Sequence, residues 1–241
     1  MFGIEVDEAA KAHALVQWPK ESCGIVVDGV YVPVDNVAEN PLENFRMPDD
    51  TLVRYEAQAI IHSHNSMSEP GPDGHHRPHH PHYPTSDDMV SQIETDLPWA
   101  IVSTDGNDAS SLLWWGDHIL DQPLIGRQFV PGVTDCYALI RAYYWQARGV
   151  YLPEFPRDSE WWGLGKNLFE EGFVMAGFKA IDPEEVQEGD VVLMNLGTPV
   201  TCHGAIVLDS LILHHLETRL SRREPLGPWR KRITHWLRYA P

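Results

Sequence analysis

The feature that most constrains the fold is a cysteine at the first turn of a helix, followed by apolar strand segments with histidines at their ends. Thr134 or Asp135 can cap the helix, and Cys136, Leu139, Ile140 and Tyr143 recur at helical spacing. Segments 191–195, 202–208, 211–216 and 234–239 read as strands, the middle two joined by an Asp209-Ser210 turn. A second helical segment is expected over 158–176. A helix followed by antiparallel strands is an α+β arrangement.

Nucleophilic cysteine chemistry needs a thiolate, a base beside it and a group that orients the base. Unpaired N–H groups at a helix start favour an anion, so Cys136 is the expected nucleophile. His203 opens the apolar run 203–208 and is the candidate base. The orienting residue stays open: a two-residue turn pairs His214 with Ala205, on the face of His203, whereas separation from His203 favours His215. Cys202 is a weak rival, because neighbours on a strand point to opposite faces. A competing reading makes Cys136 a small core residue and the histidines ordinary polar groups at strand ends.

Residues 121–133 contain Pro123, Pro131 and two glycines with little periodicity, which places a boundary near 118–124 and domains at 1–120 and 121–241. In the first of these, 7–18 reads as a helix, 23–27 and 30–34 as a hairpin around Asp28-Gly29, and 86–97 as a helix capped by Thr85 or Ser86. Strands are expected at 99–104 and 110–115, while 52–61 fits strand or helix. His62 and His64 stand at i and i+2, on one face of an extended segment. With Asp88 they offer two imidazoles and a carboxylate, an open Zn2+ site with a position left for water, and Glu21 could deprotonate that water. An exposed strand end explains the two histidines equally well. Between Asn65 and Pro84 lies a stretch rich in Pro, Gly and His, including His75, His76, His79, His80 and His82, read as a solvated loop in preference to a metal-gathering flap.

Three groups of motifs carry family resemblances. Asp135-Cys136-Tyr-Ala-Leu-Ile140, Gly189-Asp190-Val-Val-Leu193 and His203-Gly-Ala-Ile-Val-Leu208 resemble the NlpC/P60 cell-wall peptidases, although Tyr137-Ala138 stands where small Ser-Gly is usual. That resemblance implies a papain-like core hydrolysing amide bonds of peptidoglycan stem peptides. Glu21, His62-x-His64 and Pro84-Thr85-x-x-Asp88 are similar to the JAMM/MPN metallopeptidases. They imply an α/β zinc domain with Glu21 as base, His62, His64 and Asp88 as ligands, and the Thr85 hydroxyl helping an oxyanion. Asn65 for proline, Thr85 for serine and the His-rich insertion are departures. The tandem order, with the runs 127–136 and 213–222, resembles a family of phage tail-tip proteins. It implies other tail-tip proteins as partners, assembly in the host cytoplasm, and later action from the virion on the cell wall.

Composition excludes other classes. A formal charge of −17 over 241 residues argues against nucleic-acid binding, which needs a surplus of Lys and Arg. Three cysteines cannot form a disulfide framework. No apolar run approaches the ~20 residues of a membrane helix, and the acidic opening lacks the positive region of a signal peptide. The resemblances together imply a peptidoglycan endopeptidase in a tail tip. The alternatives are a structural assembly factor with vestigial sites and a JAMM-dependent maturation protease of a tail protein.

Overall fold

The protein is described from a computed structural model, which covers residues 2–66, 68–70, 76–78 and 82–241, with backbone alone for 68–70 and 76–78. Two compact units emerge, one comprising Met1–Pro84 and Ser91–Asp117, the other Thr85–Val90 and His118–Pro241. Both mix helices with sheets, in keeping with the α+β expectation.

In the first unit, helix α1 (Ile4–Gln17) precedes the hairpin of β1 (Cys23–Val27) and β2 (Val30–Val34). Asp28 and Gly29 make its two-residue turn, both at positive φ. The ambiguous stretch 52–61 divides into a short helix α2 (Thr51–Tyr55) and the start of β3 (Ala59–Asn65), separated by Glu56 in the left-handed region. Strands β4 (Ser68–Pro70) and β5 (His76–Pro78) pair with each other, and helix α3 (Ser86–Thr95), which belongs to this unit only from Ser91, leads to β6 (Trp99–Thr104) and β7 (Leu113–Trp115). The last is shorter than the 110–115 expected, because the hydroxyl of Ser110 donates to the Ser111 carbonyl at 3.0 Å and local bonds occupy the turn. The five-stranded sheet has the order β2-β1-β3-β6-β7, with β3 and β6 parallel. Val6 and Ala10 of α1 pack on Val26, Ile61 and Ala100 of that sheet. His75, His79 and His80 of the His-rich stretch, read as a solvated loop, lie outside the described residues, as does the side chain of His76.

In the second unit, helix α4 (Cys136–Arg148) is followed by the short helix α5 (Leu168–Gly172) and six strands: β8 (Phe178–Ala180), β9 (Val191–Met194), β10 (His203–Leu208), β11 (Leu211–His214), β12 (Arg222–Pro225) and β13 (Ile233–Tyr239). Their order is β12-β11-β10-β9-β13-β8, all antiparallel. The helix expected over 158–176 is mostly absent. A single 3-10 turn, Trp161–Leu164, is bracketed by Glu160 and Gly165 at positive φ, which stops propagation before α5.

Period-two alternation buries this sheet on both faces. Val191, Leu193, Ile206 and Leu213 pack beneath Leu139, Ile140, Tyr143 and Tyr144 of α4. Val192, Met194, Ala205, Val207 and Ile212 form the opposite core with Leu226, flanked by Trp229. Gly189-Asp190 anchors the entrance to β9: the Tyr144 hydroxyl donates to the Gly189 carbonyl at 2.7 Å, and Arg238 donates to both Asp190 oxygens at 3.0 and 2.8 Å. Among the described residues no helix is long and apolar enough to cross a membrane.

Leu139 is completely buried between α4 and the sheet. Leu139→Ala is expected to destabilise this unit by about 2–5 kcal/mol. A urea titration should show the midpoint falling with little change in slope.

Candidate active site

Burial of the α4 face fixes where Cys136 stands, because it is the first residue of that helix. Asp135 is the N-cap and accepts from Ala138 N–H at 2.9 Å and Gly132 N–H at 3.0 Å. Arg157 clamps the same carboxylate through Nε at 2.6 Å and Nη2 at 3.0 Å, and its Nη1 reaches Glu154 at 2.6 Å. Burial would raise the Asp135 pKa, but the Arg157 charge and these hydrogen bonds hold it below the ordinary carboxylate range. Arg157 carries no sequence signal, because it sits in a proline-rich loop 22 residues from its partner.

A cavity of about 320 Å3 opens beside this turn, and Cys136, Cys202, His203 and His215 all line it. The Gly204 backbone N–H is directed at the Cys136 sulfur, so the thiol lies against the first peptide of β10. One expectation is corrected here. Burial, with the Asp135 charge next, pushes the Cys136 thiol up to about 12, so it rests protonated. Burial of the sulfur outweighs the helix start, and the anionic cap adds to the rise. His203 moves the other way: burial, then the neighbouring His214 and His215, lower it to about 3. The resting pair is a neutral thiol and a neutral imidazole. Cys202 and His203 both line the cavity, although they are neighbours at the edge of a strand.

The two candidate orienting histidines separate clearly. In the β10–β11 register His214 is opposite Ala205, and His203 Nε2 lies 3.2 Å from His214 Nδ1. Trp229 meets His214 edge to face, with centroids 4.8 Å apart. His215 is fully buried, its ring edge-on to Phe129 at 5.1 Å. Its ring faces the backbone of Thr134 and Arg127 without a well-formed hydrogen bond.

In the first unit His62 and His64 are buried on β3, with their Nε2 atoms 3.0 Å apart. Phe45 stacks on His62 at 4.5 Å, and Trp99 and Trp115 meet it edge-on. Two nitrogens on one tetrahedral zinc at ~2.0–2.1 Å stand about 3.3 Å apart, so the histidine pair fits such an ion. Asp88 belongs to the second unit, in the first turn of α3. Glu21 is also buried, two residues before Cys23, and Cys23 pairs with His62. Thr85 and Asp88 form a reciprocal cap: Thr85 N–H and Oγ1 donate to Asp88 Oδ2 at 2.8 and 2.7 Å, and Asp88 N–H donates back at 3.2 Å. The Thr85 hydroxyl is thereby engaged at the helix start, and its geometry differs from that of a free oxyanion donor.

The second unit carries a capped cysteine helix on an antiparallel sheet, with histidines at the strand ends, and residues 122–238 match the NlpC/P60 family. Over its whole length the chain belongs to the family of tail tip assembly protein K. It is 31% identical over 244 residues to the Tail tip assembly protein K of Escherichia phage N15, which spans 96% of this chain and 93% of that one. The protein of the same name from Escherichia phage lambda is 35% identical over 151 residues, 62% of this chain and 71% of its own. Among solved structures, an NLP/P60 family protein from Staphylococcus aureus shares 21% identity over 53% of this chain and 43% of its own, with TM-score 0.34. The NlpC/p60 domain of peptidoglycan hydrolase SagA shares 19% over 48% and 89%, also with TM-score 0.34.

The raised thiol gives a direct prediction. A pKa above that of a free thiol means the reactive form gathers only as pH rises. The rate of Cys136 alkylation by iodoacetamide is expected to climb through and beyond ~8.5, the free-thiol value, with no plateau below it. An inflection near neutrality, lost in Cys136→Ala, would show a resting thiolate instead.

Proposed function

We propose that this protein is a cysteine endopeptidase of the phage tail tip that opens amide bonds in peptidoglycan stem peptides. The observation that carries this reading is the shared cavity wall of Cys136 and His203 behind a capped helix start, in a chain related to tail tip proteins. Because the resting pair is neutral, His203 acts as general base during attack. The sulfur bonds to the scissile carbonyl carbon while the thiol proton passes to the imidazole. Collapse breaks the C–N bond, the departing amine takes that proton, and water hydrolyses the thioester. The hydrogen bond to His203 favours His214 as the orienting residue over His215. The Gly204 N–H beside the sulfur is a donor at the place where attack occurs. Stem peptides and neighbouring tail-tip proteins are the proposed partners, with assembly in the host cytoplasm preceding action from the virion.

Digestion of purified peptidoglycan tests this reading. Wild type is expected to release stem-peptide fragments, with loss of at least about 10²-fold in Cys136→Ala and His203→Ala. Equal release by wild type and Cys136→Ala would remove the assignment.

A second site is proposed in the first unit, where the facing Nε2 atoms of His62 and His64 support a JAMM/MPN-like zinc centre, with Asp88 as the further ligand that the family resemblance implies. Bound zinc would supply Lewis acidity and an acidified water. His62 and His64 would hold the ion through Nε2, the Thr85–Asp88 cap would fix the carboxylate, and Glu21 would accept the proton from the water. Elemental analysis after growth in zinc is expected to find stoichiometric metal in wild type and little in His62→Ala. Equal metal in both would place the ion elsewhere.

A further inference from the structure

His214 is engaged on both sides. Its Nδ1 faces His203 Nε2 at 3.2 Å, and its Nε2 faces Glu224 Oε2 at 3.4 Å. The sheet register explains why. On β12, Arg222 is opposite His214 and Glu224 is opposite Ile212, so Glu224 lies diagonally across from His214 on the same face. His203, His214 and Glu224 thus form a line across three adjacent strands, β10, β11 and β12.

Glu224 is itself held in place. Arg222 binds Oε1 closely, Arg219 approaches Oε1 at 3.3 Å, and Trp229 Nε1 donates to Oε2 at 3.2 Å. Burial would raise its pKa, yet the Arg222 hydrogen bond and the charge facing it keep it below the ordinary range. The group is therefore an ionised carboxylate at neutral pH, able only to accept. The same Trp229 that donates to it packs edge-on against His214, so one indole fixes both partners.

We propose that Glu224 is a positioning residue that sets, through His214, the tautomer of the catalytic imidazole. The carboxylate requires a proton on His214 Nε2. Neutral His214 then presents a lone pair at Nδ1, which requires a proton on His203 Nε2. His203 is left with its lone pair on Nδ1, ready to take the thiol proton of Cys136. When that proton arrives, the imidazolium is stabilised through His214 by the distant carboxylate, and no proton travels beyond His203. The inference rests on the cysteine peptidase reading above and adds a residue outside the Cys136, His203 and His214 set.

Two measurements test it. Long-range 1H–15N spectra of the full-length protein report ring tautomers without mutation, and should show His214 and His203 both protonated at Nε2. Peptidoglycan digestion should show kcat falling about tenfold or more in Glu224→Ala with KM nearly unchanged. Glu224→Gln, which keeps an acceptor and loses the charge, should recover part of that loss while both variants melt close to wild type. An Nδ1-protonated His214 in wild type, or an undiminished kcat in Glu224→Ala, overturns the proposal. So does a loss of kcat in Glu224→Ala accompanied by a collapse in melting temperature and no recovery in Glu224→Gln. If wild type and Cys136→Ala digest equally, the peptidase reading fails, and the tautomer spectra still decide the role of Glu224.

Discussion

Helix α4 must bury Leu139, Ile140, Tyr143 and Tyr144 against one face of the second sheet, and that burial positions everything else in the site. With its apolar face fixed, the first residue of the helix can only stand at the start of β10, where the Gly204 N–H meets the Cys136 sulfur. The cap completes the constraint. Asp135 binds two backbone N–H groups and Arg157, and Arg157 reaches on to Glu154, so the helix start is tied to the loop at 154–157. The electrostatic consequence runs against the helix dipole. An anion at the cap and a desolvated sulfur together outweigh a partial positive charge of about half a unit, and the thiol stays protonated.

That resting state assigns different duties to the surrounding groups. A preformed thiolate–imidazolium pair would need only proximity, whereas a neutral pair needs the imidazole lone pair aimed at the proton it removes. Orientation is supplied from the face of the sheet opposite α4, where Ala205 and Ile212 pack with Leu226 and where Trp229 covers His214. Both faces of one sheet therefore bear on the proposed site: one seats the helix that begins at Cys136, and the other holds His214 and Glu224.

Much of this was readable from local pattern. The period-two runs at 191–194 and 203–208, the Asp209-Ser210 turn and the helical spacing after Asp135 each obey a rule confined to a few residues. The two-residue turn was enough to pair His214 with Ala205. What the sequence concealed depends on long-range closure. Arg157 meets Asp135 across a loop, and Glu224 meets His214 only because β12 joins the sheet edge. The failed helix over 158–176 has a local cause that periodicity does not weigh, since Glu160 and Gly165 take left-handed conformations. The Cys136 pKa was misread for a related reason. Dipole arguments are local, while desolvation belongs to the assembled cavity.

Among the described residues two histidine pairs have ring nitrogens 3.0 and 3.2 Å apart, and their geometry suits them to different chemistry. In the second unit Nε2 of one ring faces Nδ1 of the other, with a carboxylate beyond. A single proton order satisfies that line from end to end, which suits the base and support proposed for the pair. In the first unit two Nε2 atoms face each other at the end of a strand. Either one of them carries a proton, or both lone pairs point at a shared cation. Spacing along the sequence suggests these roles but not the facing nitrogens, because it shows only which imidazoles share a face. The distinction lies in which nitrogen faces which, and that is set by register in one case and by strand alternation in the other.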